Sequence, residues 1–154
     1  MCIRDSNYIY GTWSVLCALN MLGEAHDAPY IRKSVDWLLS RQNVDGGWGE
    51  DGATYFEDRK AECKESTPSQ TSWAVLALMA VGEINNPAVQ RGIEYIMNAK
   101  NEAGKWEEPW FTAVGFPRIF YLRYHGYSSF FPIWALARFK NLKASNSNSV
   151  AYGM

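Results

Sequence analysis

Phe116, Phe120, Tyr124 and Tyr127 follow one another at spacings of 4, 4 and 3 residues. On a helix this spacing puts four aromatic rings on one face, with Pro117 suited to the first turn. The chemistry open to such a face is attraction without attack. A ring quadrupole draws in a cation by about 2 kcal/mol or more where water is excluded, and ring carbons seldom act as nucleophiles. Taken alone, an aromatic stripe reads first as core packing. A second group recurs in phase with it: Tyr10 stands three residues before Trp13, and Tyr124 and Tyr127 stand just before Trp134.

Other chemistry-bearing residues are sparse. His26, His125, Cys2, Cys17 and Cys63 give neither a metal-ligand spacing nor a disulfide framework, so no metal or cofactor is expected and a reducing compartment is the default. Glu50-Asp51, Glu57-Asp58 and Glu107-Glu108 fall in charge-rich turns and read as solvated loop residues. Fifteen basic and sixteen acidic residues are spread without blocks, for a net charge of -1. That balance argues against nucleic acid or anionic headgroups as electrostatic partners. No segment reaches the apolar length of a membrane span, and the start lacks a basic-then-apolar signal pattern.

The elements that must position these residues are set by an internal repeat. Trp37 and Tyr95, like Trp48 and Trp106, are 58 residues apart, and Trp13, Trp73 and Trp134 are spaced by 60 and 61. Each copy opens with a segment that is apolar nearly all round, from Trp13 to Gly23 with Thr12 as its cap, and from Ser72 to Val81. A proline then leads into an amphipathic segment, Tyr30–Arg41 or Pro87–Lys100. These patterns predict buried inner helices alternating with half-wet outer ones, with a third inner helix beginning at Pro132. The expected fold is all-α, built of helical-hairpin repeats. Residues 1–6 fit no repeat and read as a non-native or artefactual leader. Residues 7–143 read as one helical domain, and 144–154 as a flexible tail.

Each outer segment ends in a patterned turn, Gln42 with Gly46-Gly47-Trp48 in one copy and Lys100 with Gly104-Lys105-Trp106 in the other. Glycine permits a helix stop, a glutamine can satisfy free backbone groups, and the indole covers both. Gln42, Trp48 and Trp106 therefore read as a structural clasp. This pattern resembles the glutamine-tryptophan repeat of triterpene cyclases. The run from Gly115-Phe116-Pro117 to His125-Gly126-Tyr127 is similar to the C-terminal part of bacterial squalene-hopene cyclases. Tyr8-Ile9-Tyr10-Gly11-Thr12, Asp45–Asp51 and Ser66–Thr71 add to the likeness, which spans about Asn7 to Asn141. Lys100 departs from it by standing where the motif expects glutamine.

The resemblance implies part of an incomplete α/α toroid and a cofactor-free isomerase acting on squalene, an apolar polyene. It implies that Phe116 and Phe120 stabilise late carbocations while Tyr124, Tyr127 and Tyr10 shape or position that wall. It further implies a parent enzyme seated on one leaflet of the bacterial inner membrane, on the cytoplasmic side, and active as a homodimer. Starting such a reaction requires a strong acid, which the family takes from an Asp-x-Asp-Asp motif. That motif does not occur in this sequence, so the 154-residue chain is expected to be inactive alone. Two other readings are a zinc-holding toroid of the protein prenyltransferase β-subunit type and a non-catalytic helical-toroid scaffold.

Overall fold

The computed structural model describes residues 7–50, 65–112 and 122–151. The described residues form five α-helices: α1 (Tyr8–Met21), α2 (Pro29–Ser40), α3 (Pro68–Ala80), α4 (Pro87–Asn98) and α5 (Tyr127–Ala144). α1, α3 and α5 are the inner helices, and α2 and α4 the outer ones. The middle inner helix packs on α1, α4 and α5, and every one of its residues is buried. The outer helices bury one stripe each, Ile31, Val35 and Leu38 on α2 and Ala88, Val89, Gly92, Ile93 and Ile96 on α4.

Local chemistry explains where the helices begin. Pro29, Pro68 and Pro87 each occupy a first helical position, where a missing N–H costs nothing. Thr67 and Asn86 accept from the N–H groups of Gln70 and Ala88, closing the starts of α3 and α4. Thr12, expected as a cap, lies inside α1. With Asn7 in the cap position, that helix starts five residues earlier because the Glu50 carboxylate, far along the chain, accepts from the Tyr8 and Ile9 N–H groups at 3.1 and 3.0 Å. α5 likewise starts at Tyr127 and carries Pro132 within it, ahead of the start expected at Pro132.

All three inner helices stop in one way. The N–H of Glu24 reaches back to the Leu19 carbonyl, Glu83 to Leu78, and Ser147 to Leu142, at 3.0 or 3.1 Å. The residue before each donor has a left-handed backbone: Gly23 and Gly82 at φ +78° and +83°, and Asn146 at +49°. Beyond that stop, the described part of the segment expected to be a flexible tail lies back on the repeats. Val150 is buried in the core. Its carbonyl accepts from Asn20 at 3.0 Å, and Asn148 accepts from Asn85 at 3.2 Å. The segment thus supplies one backbone acceptor to the end of α1 and one side-chain acceptor to the turn after α3.

Candidate active site

The inner helices bring their tryptophans together. Trp13 and Trp73 stack with ring centroids 6.2 Å apart, and Trp134 meets Trp13 edge-on at 6.1 Å. Phe131, one turn into α5, lies edge-on to both Trp13 and Trp73 at 5.4 and 5.1 Å. Trp73 is fully buried, and its indole N–H meets no acceptor, so apolar groups and aromatic rings surround it.

Two of the tyrosines singled out in the sequence converge on this tryptophan. Tyr10 lies edge-on to Trp73 at 5.1 Å, and Tyr127 lies edge-on to it at 5.6 Å. Tyr127 also packs on Phe131 at 5.1 Å and is stacked by Tyr124 at 5.0 Å. Tyr124 is half exposed and precedes α5, and residues 122–126 are not helical. The expected single helix through the stripe therefore does not extend over 122–126: Gly126 turns the chain into α5, and Tyr124 reaches Tyr127 by stacking across that turn. Phe116 and Phe120 lie outside the described residues. Tyr8 points away from Tyr10 and packs on Trp37 at 6.2 Å, since two residues apart on a helix face nearly opposite ways.

Two groups beside these rings stay neutral, while the Arg138 guanidinium lies over Trp134 at 5.6 Å. Burial raises the Tyr127 phenol above its usual value, with Tyr10 and Tyr124 adding to the shift. Burial also pushes the Cys17 thiol up to about 11 despite the nearby Arg138 charge. Neither side chain presents an anion at neutral pH.

The clasp residues lie apart from this cluster and hold carbonyls at the helix ends. Trp48 donates from its indole N–H to the Leu38 carbonyl at 2.8 Å, and Trp106 does the same to Ile96 at 2.8 Å. Gln42 donates to the carbonyls of Gly46 and Ala88 at 2.8 and 2.9 Å and accepts from Arg91. Lys100, at the glutamine position of the other copy, instead lies over the Trp106 ring at 5.6 Å.

Sequence reasoning missed two carboxylates. Glu50 and Glu108, expected as solvated, are buried. Glu50 caps α1, and Glu108 accepts from the Ser69 N–H and hydroxyl at the start of α3, both at 3.1 Å. Burial raises the Glu108 carboxyl, and the Ser69 hydrogen bonds and the Arg123 charge pull against that rise. The signal was present in the repeat, because Trp48-Gly49-Glu50 and Trp106-Glu107-Glu108 share the 58-residue period. Glu107, by contrast, is exposed.

A sequence model of the squalene-hopene cyclase C-terminal domain matches residues 4–141. The chain belongs to the squalene-hopene cyclase family. The matched span starts inside the segment read as a leader and covers all of α1 to α4. The squalene–hopene cyclase of Bradyrhizobium diazoefficiens is 63% identical over 149 residues, covering 96% of this chain and 23% of the relative. That of Alicyclobacillus acidocaldarius is 46% identical over 134 residues, covering 87% of the chain and 21% of the relative. Human lanosterol synthase is 34% identical over 139 residues, covering 88% and 19%. The chain thus spans about a quarter or less of the length of these relatives, as an incomplete portion of the family's α/α toroid. Among the described residues no three histidine, cysteine or acidic side chains come together in a metal-holding group, and no helix is long and apolar enough to cross a membrane.

Proposed function

We propose that this chain forms part of the aromatic wall of a triterpene cyclase that converts squalene to a pentacyclic hopanoid. The observation that carries the reading is the convergence of Tyr10 and Tyr127, each edge-to-face with Trp73, beside Phe131. Cyclisation of a polyene moves positive charge along carbon, and the wall must steady that charge without trapping it. Aromatic faces do so through their quadrupoles. Neither Tyr127 nor Cys17 presents an anion that would capture the cation. Tyr10, Tyr124 and Tyr127 shape the wall, and Phe116 and Phe120 meet the later cations. The family membership and the bacterial-type run ending in Tyr127 support this assignment.

The proton that starts the reaction comes from outside this chain, because the acidic Asp-x-Asp-Asp motif is absent from it. The 154-residue chain alone is accordingly inactive. The parent works as a homodimer on the cytoplasmic face of the bacterial inner membrane, where its apolar substrate is dissolved. Sedimentation of the parent with lipid vesicles, and its mass in detergent, test the seat and the dimer.

The direct test replaces the matched C-terminal 149 residues of the Bradyrhizobium enzyme with this chain and assays squalene turnover by gas chromatography. Pentacyclic product is expected, and Phe120→Ala in the same chimera should release incompletely cyclised products. A chimera that folds and binds squalene without cyclising it would overturn the reading. An unchanged product profile would remove Phe120 from the cation path.

A further inference from the structure

Between the capped start of α3 and the tyrosine pair runs a link that neither the clasp nor the aromatic cluster explains. Glu108 holds both ends of it. Its buried carboxylate accepts twice from Ser69, at the first turn of the helix that carries Trp73. Its backbone carbonyl accepts from the Arg123 guanidinium at 2.8 Å, and Arg123 immediately precedes Tyr124. The same guanidinium lies over the Phe111 ring at 4.9 Å. On the Glu108 side the described residues are tied down as well: Thr112 accepts from Gln70 of α3 at 3.1 Å, and Trp106 donates to the Ile96 carbonyl.

We infer that Glu108 and Arg123 are positioning residues that set the Tyr124–Tyr127 stack at its distance from Trp73. This inference rests on the reading of that cluster as a cyclase wall. A planar guanidinium can donate to a carbonyl and lie on a ring at once, whereas an ammonium keeps the charge and loses the flat face. Tyr124 is half exposed and precedes α5. On its C-terminal side its carbonyl accepts from the Tyr127 N–H at 3.1 Å, and on its N-terminal side Arg123 ties it to the Glu108 carbonyl. Glu50 makes the equivalent cap on α1, so the capping carboxylate belongs to the repeat, while the arginine tether belongs to the aromatic end of the chain.

The test compares Arg123→Met, Arg123→Lys and Glu108→Gln. In the chimera, Arg123→Met should lower the ratio of fully to partly cyclised product by about tenfold, the lower end of the effect of one lost charged hydrogen bond. KM should stay unchanged, and Arg123→Lys should restore part of the ratio. Asn85→Ala, which cuts a bond of the C-terminal segment far from the wall, serves as a destabilised control with unchanged products. In the 154-residue chain the near-UV circular dichroism of the tyrosine–tryptophan cluster should weaken in Arg123→Met and Glu108→Gln. Unchanged product ratio would overturn the inference, and so would a loss matched by Asn85→Ala at equal melting temperature. If the wild-type chimera makes no cyclic product, the functional reading falls and the dichroism still decides, an unaltered band in both variants refuting the positioning role.

Discussion

Arg32 and Glu83 join the first outer helix to the turn after α3 through a hydrogen bond of 2.7 Å. Burial raises the Glu83 carboxyl, but the hydrogen bonds from Asn86 and Arg32 and the arginine charge outweigh it, and the group ends below its ordinary range. A lowered carboxylate contributes stability above its unfolded value and loses it as the pH falls through the folded one. Both side chains are partly exposed, so the pair is worth at most about 1 kcal/mol. Arg32→Met should therefore lower the urea midpoint at pH 7, and the gap from wild type should close as the pH drops below about 4. A gap that persists in strong acid would assign the effect to packing of the arginine stem. At the same scale, Trp73→Ala removes a fully buried indole touched by four other rings, and a loss of about 3 to 5 kcal/mol in equilibrium unfolding is expected.

The second outer helix, α4, meets the middle inner one through a glycine. A methyl group at Gly92 would come within 2.6 Å of Val75 and 2.9 Å of the Trp48 ring, so α4 can approach α3 closely only because that side chain is absent. Gly92→Ala gains helix propensity yet should destabilise by about 1 to 3 kcal/mol through overpacking, as read by thermal unfolding. A neutral or stabilising result would mean that the Trp48 clasp has room to shift. The helices themselves were legible because the repeat wrote them twice: apolar-all-round against amphipathic, with Gly23 and Gly82 at the stops. Their beginnings were less so. α1 starts where Glu50 supplies an acceptor from 41 or 42 residues away, and no local signal at Tyr8 encodes that. Over 122–126, the described end of the stripe from Phe116 to Tyr127, the helical spacing does not become a helix, because Gly126 and the arginine tether shape that end and neither is periodic. The convergence of Tyr10 with Tyr127 was legible from repeat phase, whereas the burial of Glu50 and Glu108 was masked by their charge-rich surroundings.

Across the whole chain the inner helices differ in how fully they are covered. α3 has neighbours on every side, while Val15 and Met21 of α1 and Phe130 and Ile133 of α5 are at least half exposed. Such apolar surface on flanking members of an array favours association. The 154-residue chain should bind hydrophobic dye and form oligomers in light scattering. In the chimera with the Bradyrhizobium enzyme both signals should fall, and a dye-negative monomer of the short chain would contradict this expectation.

The glutamate caps also bear on how such an array is assembled during synthesis. Each cap ties the loop after an outer helix to the inner helix of its own pair, across 39 to 42 residues. Contacts of that range close early, since the entropy lost in looping the chain grows with the length enclosed. Once Glu50 has left the ribosome, the Tyr8 and Ile9 N–H groups at the start of α1 have their acceptor, and Glu108 does the same for Ser69 at the start of α3. The starts of the inner helices can thus be closed one repeat at a time during synthesis, while their buried faces wait for the neighbouring inner helix.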